Sequence, residues 1–222
     1  SSRSVRIFAG VATLIGLIGS LHGYTVIIDP GHGGSDPGAV RPSAIEKRLT
    51  LNTSRFLAEE LRRQGVSYVM TRSQDEFVAL SARRNFSARY PGSVFVSIHY
   101  NAAHNVAARG IETFHHNARS KRLASQVQRA LIQMTGATNR GVKRHGYSGL
   151  ANNAARAAIL VEGGFISNLE ERRRCLNPHY QRAVARAVLT GILQTLGSPR
   201  PTRSPGWVQR VPVPPRPVAP QH

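Results

Sequence analysis

Three residues able to bind a metal or move a proton stand at the ends of apolar, β-branched runs: His32, His99 and Glu162. His32 lies just past Tyr24-Thr-Val-Ile-Ile-Asp-Pro-Gly31, His99 closes Val94-Phe-Val-Ser-Ile98, and Glu162 closes Ala157-Ala-Ile-Leu-Val161. Such runs read as buried strands, and a buried strand rarely leads straight into a titratable group unless a site receives it. Two imidazoles, a carboxylate and an open fourth position describe a hydrolytic zinc site. There the pKa of bound water drops to about 7, and a second carboxylate can handle the proton. Viewed alone, His99 reads equally well as a core histidine, and Glu162 as an arginine's ion-pair partner. The joint pattern carries the reading.

The second carboxylate has to come from a pool of only eleven acidic residues. Glu46 stands at the start of the helical segment that follows the His32 loop. It also completes Ser43-Ala-Ile-Glu46, the spacing of a capping box, in which the glutamate bonds back to the N-cap amide. On local pattern alone the cap is the better reading, because short motifs match by chance often.

The elements that must position these groups alternate. A strand at 24–29 opens into a Gly-rich loop, where glycines allow close approach of a ligand. A helix follows from about Ser43 to Gly65, then a strand Val66–Met70, a helix from about Phe77 to Arg89, and the strand ending in His99. Further on come a short strand Gly110–Phe114, a helix Lys121–Met134, a glycine-bearing loop Thr135–Gly149, the strand 157–162 and a last helix Tyr180–Leu196. Alternation of this kind predicts an α/β fold with a largely parallel sheet. Strand ends on one edge of such a sheet converge, and ligands bind there.

Composition adds limits. One cysteine excludes an internal disulfide and a Cys-based metal site. The net charge is +19, and between residue 7 and residue 197 there remain 24 basic against 11 acidic side chains. That surface favours polyanions: nucleic acid, anionic lipid or an acidic envelope polymer. Residues 1–22, a short basic stretch and then an apolar run of about 15 residues, read as an export signal or uncleaved anchor. The expected location is therefore the periplasm or cell envelope. Residues 23–197 form the expected folded domain, and the Pro- and Arg-rich stretch 198–222 reads as an extended or disordered tail.

With these residues in view, the chain resembles the zinc-dependent N-acetylmuramoyl-L-alanine amidases of the type-3 class. The resemblance runs from about Tyr24 to Leu196. It rests on Val26-Ile-Ile-Asp-Pro-Gly-His32-Gly-Gly34, Glu46-Lys47, Thr71-Arg72, Leu80-x-x-Arg83, Val96-Ser-Ile-His99-Tyr-Asn-Ala102 and Leu160-Val-Glu162-Gly-Gly-Phe-Ile-Ser-Asn168. It implies that His32, Glu46 and His99 bind Zn2+ and that Glu162 is the catalytic carboxylate, against the local reading of Glu46 as a cap. It implies a single α/β domain, phosphorylase/hydrolase-like, with a mostly parallel or mixed sheet of about six strands flanked by helices. The implied substrate is peptidoglycan, cut between N-acetylmuramic acid and L-alanine.

Asp29 and Asn101 are candidates for orienting an imidazole, although turn-shaping is the stronger expectation for Asp29. Regulated members of the class carry a long insertion with a helix over the zinc. Here about ten residues separate His99 from Gly110, so no blocking helix and no required activator are expected. The rival reading is a basic wall- or nucleic-acid-binding protein with a degenerate site. It lacks an aromatic RNA-stacking pattern, a helix-turn-helix signature and a Cys/His finger, so no specific nucleic-acid partner is expected. The basic charge is instead assigned to adhesion to an anionic envelope.

Overall fold

The computed structural model describes residues 24–146, Leu150 and 157–197. The segments read as signal or anchor and as tail lie outside them.

The strands are β1 Val26–Pro30, β2 Val40–Arg41, β3 Ala44–Ile45, β4 Tyr68–Met70, β5 Val94–Asn101, β6 Ile111–His115, β7 Asn139–Arg144 and β8 Ala157–Phe165. The helices are α1 Glu46–Arg63, α2 Leu80–Ala88, α3 Ala118–Thr135, α4 Leu169–Leu176 and α5 Pro178–Leu196. Six strands form one sheet in the order β4-β1-β5-β8-β6-β7, and β2 pairs with β3 in a small hairpin. Every pairing in the large sheet is parallel except β6 with β8. The expected α/β class and six-stranded mixed sheet are observed.

The central strands are apolar on both faces because helices cover both, the usual state of parallel strands. One face buries Val26, Ile28, Val96, Ile98, Ile159 and Val161 under α1, α3 and α5. The other buries Ile27, Phe95, Ala158 and Leu160 with Phe86 of α2 and Leu150. Asparagine caps two of the helices: the Asn117 side chain accepts from the Ser120 amide at the start of α3, and the Asn177 side chain accepts from the His179 amide beside Pro178.

The sequence reading missed three elements. Residues 139–144, expected as loop, form edge strand β7 beside β6. Its Asn-Arg-Gly-Val-Lys-Arg sequence is polar because only Val142 packs on the core. The β2–β3 hairpin is too short to show a period. The α4 segment, Leu-Glu-Glu-Arg-Arg-Arg-Cys-Leu, buries only Glu171 and Cys175, so no apolar stripe announces it.

Candidate metal centre

The backbone holds His32 first. Gly31 N donates to Ile98 O at 3.0 Å, tying the loop after β1 to β5. His32 itself takes a left-handed conformation (φ 60°), and Gly33 and Gly34 continue the turn at φ 129° and 57°. Gly33 and Asp36 exchange backbone hydrogen bonds of 2.8 and 3.0 Å. The turn so closed brings Asp36 Oδ2 within 2.8 Å of His32 Nδ1. That contact fixes the ring, and Nε2 faces inward toward Glu46 Oε1 at 3.1 Å.

Glu46 is the first residue of α1, and it does not close a capping box. The N-cap is Ile45 with no side-chain cap, and Ser43 sits at φ 64°. Glu46 Oε2 accepts instead from Ala39 N at 2.9 Å, and Oε1 accepts from Tyr100 N at 3.1 Å. Oε1 also lies 3.1 Å from His32 Nε2 and 3.0 Å from His99 Nδ1. One donor atom from each of His32, Glu46 and His99 therefore falls within 4.8 Å of the others. The local capping pattern is overruled because the side chain is drawn across to β5 by Tyr100 and the two imidazoles.

Electrostatics agree with geometry. Burial alone would raise the Glu46 pKa, but hydrogen bonds and charge from His32 and His99 hold it far below the carboxylate range. Burial opposes the charged imidazole of His32, yet Glu46 and Asp36 together raise its pKa. A carboxylate kept ionised between two imidazole nitrogens is a cradle for a cation.

The cradle leaves no room for side chains at its glycines. At Gly38 (φ 64°) a Cβ would lie 2.6 Å from His32 Cδ2 and 2.7 Å from Glu46 Oε2. Gly38→Ala is therefore expected to weaken metal affinity at least about 10-fold, the order seen when supports of a metal site are disturbed. Competition with a chromophoric chelator measures this, and wild-type affinity in the variant would show that the cradle is softer than the distances imply.

Glu162 lies on β8 in register with His99 on β5, and Glu112 lies opposite Glu162 on β6. Glu162 Oε2 is buried with no hydrogen-bond partner among the described residues. Burial, then the charges of Glu46 and Glu112, push its pKa well above the usual carboxylate value. Glu112 itself accepts from Asn101 Nδ2 at 2.8 Å and pairs with Arg140 Nε at 3.0 Å and with Lys143 Nζ. The structure thus brings His32, Glu46, His99 and Glu162 to one edge of the sheet, as the parallel topology requires.

Asp29 and Asn101 orient no imidazole. Asn101 serves Glu112, and Asp29 is a buried anion that accepts from Thr71 Oγ1 at 2.6 Å, Ser97 Oγ at 2.7 Å and Arg83 at 2.5 Å. It acts on the turn through Arg83. Arg83 goes on to donate to Pro30 O and His32 O at 2.7 Å each, and Arg72 donates to Gly31 O at 2.8 Å. Two buried guanidiniums therefore clamp the carbonyls of the His32 loop. Asp36 and Glu112 were not singled out by sequence; the four-residue offset from His32 was the one available signal for Asp36.

Two clefts meet over His32 and His99. The first, about 390 Å³, continues past Glu46, Asn101, Phe114, His145 and Glu162. The second runs past Asp36, Phe77, Val78, Leu80 and Arg83.

Residues 26–194 match the family profile described as N-acetylmuramoyl-L-alanine amidase. The chain belongs to that family. It is 34% identical over 175 residues to N-acetylmuramoyl-L-alanine amidase LytC of Bacillus subtilis, covering 77% of this chain and 35% of LytC, so it spans about a third of that relative. It is 31% identical to the germination-specific N-acetylmuramoyl-L-alanine amidase of Bacillus subtilis over 78% of this chain and 80% of that protein. The crystal structure of the N-acetylmuramoyl-L-alanine amidase from Clostridium difficile 630 superposes with a TM-score of 0.74 at 34% identity, over 79% of this chain and 98% of that one. Membership of this family supports a cell-wall amidase function.

Proposed function

We propose that the chain is a zinc-dependent hydrolase of the amide joining N-acetylmuramic acid to L-alanine in peptidoglycan, working at the cell envelope. The observation that carries this is the convergence of one donor atom each from His32, Glu46 and His99 within 4.8 Å, beside Glu162, whose Oε2 is buried without a hydrogen-bond partner among the described residues. Two neutral nitrogens and one anionic oxygen suit zinc and keep its residual positive charge. Bound there, zinc supplies a Lewis acid that polarises the scissile carbonyl and acidifies water.

The protein's own groups do the rest. Asp36 fixes the His32 ring, and the Ala39 and Tyr100 amides fix the Glu46 carboxylate, so two of the three donors are held by the protein itself. Glu162 takes a proton from the attacking water and delivers it to the alanine nitrogen as the C–N bond breaks.

The described cleft walls come from strands, loops, the first turn of α1 and the start of α2; the reading without a required activator rests on the short stretch of about ten residues between His99 and Gly110. The excess of basic side chains supports adhesion to an anionic envelope, weakened by salt. A chelator is expected to abolish hydrolysis of purified sacculi, and stoichiometric Zn2+ to restore it. Full activity of protein shown by elemental analysis to be metal-free would refute the zinc assignment.

A further inference from the structure

The amidase reading says which bond is cut; the two clefts say which way round the substrate lies. We propose that the cleft bounded by Phe77, Val78, Leu80 and Asp36 is a subsite for the muramoyl sugar, and that the cleft holding Glu162 takes the stem peptide. This assignment rests on the amidase reading and deepens it.

The argument starts from the proton. Hydrolysis adds water's oxygen to the acyl carbon, breaks the C–N bond and expels an amine, which must receive a proton as it leaves. Glu162 is the group placed to give it, and Glu162 lines the first cleft, not the second. The alanine nitrogen, and the peptide beyond it, therefore lie in the first cleft. The acyl carbon sits over His32 and His99, where the clefts meet. The lactyl group and its sugar then extend the other way, into the second cleft.

The chemistry of that cleft fits a pyranose. Phe77 and Leu80 are 55% and 49% exposed, side by side at the rim of a concave site, an arrangement that marks a binding surface rather than scattered surface carbon. A pyranose ring has apolar C–H faces and a polar edge, so it needs an apolar platform with few polar partners. Asp36, with a side chain 45% exposed, offers an acceptor for a hydroxyl. Arg83 is part of the wall: its guanidinium is engaged by Asp29 and by the carbonyls of Pro30, His32 and Val78.

The test compares two substrates with the same scissile amide: N-acetylmuramoyl-L-alanyl-D-isoglutamine and N-lactoyl-L-alanyl-D-isoglutamine, which lacks the sugar. Wild-type kcat/KM is expected to favour the first by about 10-fold or more, the order of one well-placed aromatic anchor. In Phe77→Ala that ratio is expected to fall to within about 2-fold, and in Phe77→Trp to be retained. Phe77 is exposed, and zinc content with circular dichroism verifies that each variant is folded and loaded. If wild type cleaves neither compound, the amidase reading fails and the subsite with it. If wild type cleaves both but shows no preference, or if Phe77→Ala keeps the preference, the subsite is wrong while the amidase reading stands.

Discussion

Glu162→Gln is expected to lower kcat for muramoyl-amide hydrolysis by about 10² to 10⁴-fold, the contribution of one positioned acid–base group, while one zinc per chain stays bound. The glutamine keeps the shape of the side chain beside His99 but can neither take nor return a proton. Turnover near the wild-type rate at full zinc occupancy would overturn the role given to Glu162. The same variant has a second signature. In the metal-free protein, burial and the charges of Glu46 and Glu112 raise the Glu162 pKa, so the folded state holds this proton more tightly than the unfolded chain. The favourable contribution is therefore full below the unfolded value near 4.3 and is lost as pH climbs towards the folded value. Metal-free Glu162→Gln is expected to melt above metal-free wild type at pH 7, with the gap closing as pH falls towards about 4.

Arg83→Leu is expected to cost about 3–5 kcal/mol of stability, because it leaves Asp29 as a buried charge without its cation. Asp29 and Arg83 are 1% and 4% exposed. Burial pushes the Asp29 pKa up, but the Arg83 charge and hydrogen bonds from Thr71 and Ser97 win and hold it below the usual value. A depressed pKa contributes stability above the unfolded value of about 3.9 that is lost as pH falls through the folded one. The wild-type advantage over Arg83→Leu, read from urea unfolding, should therefore be largest near pH 7 and shrink below about pH 4. Adding Asp29→Asn to the variant should recover part of the loss. A single variant as stable as wild type at pH 7 would remove Arg83 from the account of how the His32 loop is held.

These two residues also mark how far sequence reasoning reaches. The strands bearing His99 and Glu162 were legible because both faces of β5 and β8 are buried, which makes their sequences continuous apolar runs ending abruptly in a titratable group. Glu46 was not legible by local rules. Its four-residue context with Ser43 imitates a cap, whereas its partners Ala39, His32, His99 and Tyr100 are distant in sequence or hidden in a turn. Only family resemblance grouped it with His32 and His99, the side chains its carboxylate lies beside. The partners of Asp29 were hidden for the same reason: Thr71, Arg83 and Ser97 lie 42, 54 and 68 residues away. Periodicity reports which face of an element is buried; it carries no information about polar contacts between elements. Strand β7 escaped because an edge strand with one core residue has no apolar period to show.

The central claim is that this chain cuts peptidoglycan at the muramoyl–alanine amide. Purified sacculi incubated with zinc-loaded protein and then labelled at their amino termini test it most directly. New N-terminal L-alanine, absent with Glu162→Gln, is the predicted result. Sacculi that remain free of new L-alanine termini after treatment with folded, zinc-loaded protein would contradict it.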